Sequence, residues 1–224
     1  MRFPAVLWRR GVLVAVIAVL TLAVSGLGVR LWSAGPPGDE SLEAGFARDM
    51  QAHHAQAVQM ALIVRDRTGD REVRTLAYDI ATTQQQQIGQ MYAWLDVWGL
   101  PQASVEPRMA WMRQGHQNMP GMGQGSAQMS GMGQGSVQMP GMATREQLKQ
   151  LEQASGKEAE ILFLRLMIPH HQGGVQMAQA AQGSGQPQVR RMAGSILAAQ
   201  KAEIELMRGM LAARGAAESP SPSG

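Results

Sequence analysis

The chain has 224 residues, no cysteine, 17 methionines and a formal net charge of +3. Without cysteine there is no disulfide framework, no thiolate zinc site and no thiol nucleophile. Arg2, Arg9, Arg10 and Arg30 flank a single apolar run. The rest of the chain is therefore close to neutral and offers no basic surface for nucleic acid.

That run, Gly11 to Val29, carries no charge. As a helix it would span about 28 Å, close to the hydrocarbon thickness of a bilayer. Arg2, Arg9 and Arg10 precede it, so the positive-inside rule places the N-terminus in the cytoplasm and the remainder outside. Residues 1–33 thus read as a single-pass transmembrane helix at the cell membrane, carrying an extracytoplasmic domain. A cleaved signal peptide is the rival reading, because Ala23-Val24-Ser25 offers small residues for cleavage; the protein would then be secreted.

A Gly/Pro linker (34–41) leads into a helical stretch from Leu42 to Arg65. A turn at Thr68-Gly69-Asp70 starts a second helix, Arg71 to Trp98, which stops at Gly99-Leu100-Pro101. Residues 115–142 form a Gly/Met/Gln/Ser loop. Thr144-Arg145-Glu146-Gln147 and Ser155-Gly156-Lys157-Glu158 both fit the capping-box pattern, predicting a short helix and then a long one to Gln182. After a turn at 183–187, the last helix covers 188–213, and 214–224 is a disordered tail by composition.

The helical part is an internal duplication. F-A-R-D-M-Q-A-H-H-A-Q-A-V-Q-M-A (46–61) aligns with F-L-R-L-M-I-P-H-H-Q-G-G-V-Q-M-A (163–178) at a constant offset of 117. The following helices match at an offset of 116: Val73 with Val189, Ile80 with Ile196, Gln84 with Gln200, Ile88 with Ile204 and Met91 with Met207. Two matched helical hairpins (42–100 and 155–213) joined by a long crossover predict an all-α four-helix bundle over 42–213.

At 100° per residue, Phe46, Met50, His53, Ala57, Met60 and Val64 share one face. The second copy gives Phe163, Met167, His170, Gly174, Met177 and Ala181, with His54 and His171 at the edge of that face. Each copy therefore brings a thioether one turn before an imidazole and another two turns after it. Imidazole binds copper, zinc, nickel and iron, whereas thioether favours Cu(I). The combination points to copper, Cu(I) in preference to Cu(II). Methionine at helical spacing is also ordinary core filler, and Met60 and Met177 suit that role equally. A di-iron site would need Glu-x-x-His, which the chain lacks. Nor is there a G-x-S-x-G elbow or a phosphate-binding loop, so no enzyme is expected.

The central loop repeats every ten residues and yields Met119/Met122, Met129/Met132 and Met139/Met142, preceded by Met109, Met112 and His116. A glycine-rich loop has no apolar face to bury, so these sulfurs read as a secondary copper-capturing set. Tandem expansion of a low-complexity segment would produce the same repetition without selection for methionine.

Phe-x-x-x-Met-x-x-His-His, Met-Ile-Pro-His-His-Gln-Gly and Gln-Lys-Ala-Glu-Ile-x-x-Met (200–207) resemble the CopM-type copper-binding family, formerly a domain of unknown function. The resemblance covers about 42–213. It implies a ferritin-like four-helix fold and an extracytoplasmic role in copper handling, resistance or metallochaperone transfer, with other copper-handling proteins as possible partners. By position it implies Met50, His53, His54, Met167, His170 and His171 as ligands, with Met60 and Met177 behind them. This chain has Gln59 and Gln176 where relatives commonly carry Glu, and Gln87 where the fourth helix has Glu203. The competing reading is a structural or protein-interaction bundle at the cell surface, whose histidine pairs serve packing alone. Pro169 stands where the first copy has Ala52, and a kink tilting the second histidine pair is expected there.

Overall fold

The computed structural model describes residues 35–112 and 139–218. The chain divides into two compact units, Met1–Pro37 and Gly38–Gly224. The first falls almost wholly outside the described residues, and the apolar segment 11–29 with it. Among the described residues, no helix is long and apolar enough to cross a membrane.

The second unit is all-helical among the described residues: α1 (Leu42–Arg67), α2 (Arg71–Val97), α3 (Arg145–Gln153), α4 (Gly156–Ala181) and α5 (Pro187–Ala213). Local chemistry sets most of the boundaries. Ser41 Oγ accepts from Ala44 N at 3.2 Å and starts α1, and Asp70 Oδ1 accepts from Val73 N at 2.9 Å and starts α2. Thr144 and Gln147 form the expected reciprocal capping box of α3. The second expected box is absent: Ser155 makes no side-chain cap bond. Gly156 sits at φ +54°, which turns the chain away before the hydroxyl can reach the helix amides. Helix α4 runs from Gly156 to Ala181 without interruption through Pro169.

The α1–α2 and α4–α5 hairpins meet through α1 and α4. Two acidic residues at equivalent positions of the duplication lock them. Glu43, in the first turn of α1, accepts from Ser184 Oγ at 2.7 Å and Gly185 N at 2.8 Å in the α4–α5 turn. Its counterpart Glu160 accepts from Thr68 Oγ1 at 2.6 Å in the α1–α2 turn and from Arg214 Nε at 2.6 Å. The start of each hairpin thus holds the turn of the other, so α1 and α4 run antiparallel.

Two apolar clusters fill the core, and the duplication maps one onto the other. The first includes Met60, Val64, Val73, Ile80, Phe163, Met167 and Met207. The second includes Phe46, Met50, Met91, Met177, Ala181, Val189 and Ile196. Each holds one matched methionine from α1, one from α4 and one from α5 or α2 (Met60, Met167 and Met207 in the first, Met50, Met177 and Met91 in the second), as an approximate two-fold axis requires.

The crossover is pinned where it leaves the first hairpin. Arg48 donates to Pro101 O at 2.9 and 2.8 Å and also pairs with Asp39. Buried Asp49 accepts from Met109 N at 2.7 Å and Trp111 Nε1 at 2.9 Å. Trp111 fills a notch that exists because residue 45 is glycine; a Cβ there would overlap its ring. The ring also meets Phe46 edge-on at 5.7 Å.

Candidate metal centre

Between the two apolar clusters lies a belt of buried polar residues. His53, His54, His170 and His171 are all completely buried, and Gln84, Gln87 and Gln200 nearly so. The sequence pattern places His54 and His171 at the edge of the apolar face, and they are buried there because polar partners on α2 and α5 close over them. His54 Nε2 donates to Gln87 Oε1 at 2.8 Å, and His171 Nε2 donates to Glu203 Oε2 at 2.7 Å. These are equivalent bonds in the two copies, one to a neutral amide and one to a carboxylate.

His53 and His170 face each other across the α1–α4 contact, with ring centroids 3.9 Å apart and planes inclined by 33°. His53 Nε2 donates to Pro140 O at 3.1 Å, whereas neither ring nitrogen of His170 has a partner. The two copies are therefore unequal, through these partners.

Burial, which penalises the charged imidazolium, dominates the electrostatics. It lowers His53 to about 4, against the Pro140 carbonyl, which raises it. It lowers His54 to about 3, helped by the neighbouring His53. His170 is also pushed well below its ordinary value by burial and then by the other three histidines. These three rings are neutral at physiological pH. An Nε2 that donates to a carbonyl, amide or carboxylate oxygen carries the proton, so Nδ1 of a neutral ring holds the lone pair. Nδ1 of all four histidines is buried without a partner.

In His53, His54 and His171 this is the arrangement of a metal-binding histidine, whose far N–H is held by an oxygen while the other nitrogen stays free. The donor set fits copper, since neutral imidazoles need lose no proton to bind it. Among the described residues, no group of three or more His, Asp or Glu side chains could hold a metal ion. Imidazole and carboxylate alone therefore do not complete a site.

Met50 and Met177 lie in one flanking cluster, and Met60 and Met167 in the other, all fully buried. The structure adds Met91 and Met207 to these clusters. The loop set divides. Met109, Met112 and Met139 are buried in the second apolar cluster and Met142 packs against it. The expectation that methionines of the glycine-rich loop have no apolar surface to join thus fails for Met139 and Met142, because the bundle itself supplies that surface. His116, Met119, Met122, Met129 and Met132 lie outside the described residues. Sequence reasoning singled out Gln87 but missed the His53–His170 stack and the buried Gln84 and Gln200, although these two already coincide in the duplication.

A family model described as a domain of unknown function, DUF305, matches residues 43–211, most of the chain. The chain belongs to the DUF305 family. A candidate secreted DUF305 protein from Streptomyces coelicolor is 45% identical; the match covers 82% of this chain and all of that one, with a TM-score of 0.69. A DUF305 fragment from Deinococcus radiodurans is 34% identical over 77% of this chain and 96% of that one, with a TM-score of 0.58. The Cu(II)-bound form of CopM is 27% identical over 76% of this chain and 95% of its own, with a TM-score of 0.53. The Cu(I)-bound form of CopM aligns at 22% identity, a likeness of fold. A search of curated proteins returned no match.

Proposed function

We propose that this DUF305 protein binds and sequesters copper outside the cytoplasm, Cu(I) in preference to Cu(II), and hands it on to other copper-handling proteins. The observation that carries the reading is the set of four buried, partnerless Nδ1 atoms in matched histidine pairs. Leaving a buried polar atom unsatisfied costs about 1–3 kcal/mol. A belt that repeats this cost in both copies makes sense if an ion recovers it. The likeness to copper-bound CopM supports the choice of metal. Methionine sulfur from the flanking clusters, first Met50 and Met167 and then Met60 and Met177, would complete the coordination, because thioether is the remaining soft donor nearby in the fold.

The Met-rich loop, with Met119, Met122, Met129, Met132 and His116, would gather ions for the bundle. Met109, Met112, Met139 and Met142 would serve chiefly to fasten the ends of that loop. The apolar segment 11–29 would tether the domain to the membrane. The protein has no catalytic role in this account.

Titrating the purified chain with Cu(I) against a chromophoric chelator tests the reading. Wild type should compete for the ion. Replacing His53, His54, His170 and His171 together by alanine should weaken binding by 100-fold or more, beyond the roughly 10–100-fold typical of losing one supporting contact. If that variant and a deletion of 115–138 both bind like wild type, the copper reading fails. A packing role alone predicts a lower melting temperature in the variant and no response of wild type to copper.

A further inference from the structure

The turn that ends the Met-rich crossover is built directly onto the histidine stack. Met142 N bonds back to Met139 O at 3.4 Å, closing a β-turn with Pro140 and Gly141 at its centre. Gly141 adopts φ +76°, which suits a turn with proline first and glycine second. The M-P-G-M unit is thus a turn-forming sequence, and this copy is docked.

Three features fit the turn to the site. The Pro140 carbonyl accepts the Nε2 proton of His53 at 3.1 Å. The side-chain amide of Gln56, one turn after His53 on α1, forms a two-way bond with the backbone of Ala143, donating to its O at 3.0 Å and accepting from its N at 2.7 Å. Gly173 on α4 leaves the space in which the turn lies; a Cβ there would overlap the Pro140 carbonyl, and a Cβ at Gly141 would overlap that of Pro169. Pro140, Gly141 and Met142 are half-buried while His53 and His170 are fully buried, so the turn stands between the histidine pair and solvent.

We propose that the turn Met139–Ala143 is a latch on the His53–His170 pair, with Gln56 and Gly173 as the positioning residues that hold it shut. It fixes His53 with Nε2 protonated and Nδ1 free, and it gates access to the pair. Nothing equivalent holds His170 Nε2, so only one copy of the duplicated site is latched. Ions entering the pair must wait for the turn to lift. That consequence rests on the copper reading, whereas the latch itself does not.

The test uses the full chain, metal-free, as wild type and as Gln56→Ala, Gly173→Ala and Gln51→Ala. Gln51 also lies on α1, but its amide bonds to Ala47 O and does not touch the turn, so it is the control. Acylation of His53 and His170 by diethyl pyrocarbonate is followed residue by residue by mass spectrometry, with circular dichroism as the check on folding. Gln56→Ala and Gly173→Ala should each speed acylation of His53 roughly tenfold, the factor expected when about one net hydrogen bond holding a local closure is lost. Gln51→Ala should match wild type. Gly173→Ala should preserve the helix, since alanine favours it over glycine. Unchanged acylation in both variants, with the helical signal intact, overturns the latch. Ag(I) association is then measured by stopped flow. Faster uptake in the two variants supports the gate. Faster acylation with no silver binding by any form, wild type included, keeps the latch and overturns the metal reading.

Discussion

Lowering the pH from 6.5 towards 5 should destabilise this protein sharply, before its carboxylates titrate appreciably. His53, His54 and His170 all have folded-state values below the ordinary 6.5, at about 4, about 3 and well below 6.5 respectively. In the unfolded chain they protonate near 6.5, so between 6.5 and the folded values the unfolded state binds more protons. Stability is therefore complete above 6.5 and is lost as pH falls towards 4. A tenfold difference in proton affinity between the folded and unfolded chain is worth about 1.4 kcal/mol, so three such groups remove several kcal/mol. A domain with about 5–15 kcal/mol in total has little to spare. Thermal melts followed by circular dichroism at pH 7.5, 6.5, 5.5 and 4.5 should show a steep fall in Tm below 6.5. The quadruple alanine variant should lose most of that slope. A wild-type Tm that is flat from 7.5 to 4.5 would show that the belt is not buried neutral imidazole.

Replacing His53 and His170 together by leucine should make the protein more stable and a poorer copper binder. Stacked at 3.9 Å, the two rings leave three ring nitrogens without partners: Nδ1 of His53 and both nitrogens of His170. Leucine is of similar size, lies easily between the two apolar clusters and removes groups that cost about 1–3 kcal/mol each when unsatisfied. Losing the Pro140 bond offsets only part of this gain, because it leaves one carbonyl without its partner in place of three ring nitrogens. A net gain of about 2 kcal/mol is expected, read from urea midpoints at pH 7.5 with unchanged m-values. Chelator competition on the same sample should show copper affinity reduced 100-fold or more. Lower stability with copper binding unchanged would mean that the pair is a packing element. The contrast between the two readouts separates a functional site from a structural one, since functional sites retain local cost that packing would remove.

Much of this was legible in the sequence because it repeats. The spacing that put Phe46, Met50, His53, Ala57, Met60 and Val64 on one face corresponds to six buried residues, and the second copy behaves alike. The duplication also implied two hairpins, which the Glu43 and Glu160 clamps join. What periodicity could not supply was the relation between copies. One helix wheel cannot show that α1 and α4 run antiparallel, which brings His53 onto His170 and sets Met50 beside the cluster of Met177. For the same reason His54 looked marginal: its cover, Gln87, comes from another helix. Composition misled at Met139, whose glycine-rich neighbours suggested an exposed sulfur. Burial there depends on the groove the turn meets, not on the residues beside it. At Ser155 the pattern of side chains was right and the backbone of Gly156 prevented the bond.

The central claim is that the buried histidine belt, rather than the loop alone, receives the copper. Anomalous diffraction at the copper edge from crystals of the metal-loaded protein tests it most directly. The account predicts a copper peak within bonding distance of Nδ1 of at least one belt histidine, with Nε2 of His54 still on Gln87 and Nε2 of His171 still on Glu203, and with methionine sulfur among the ligands. Copper confined to the Met-rich loop, with all four Nδ1 atoms still free, would contradict it.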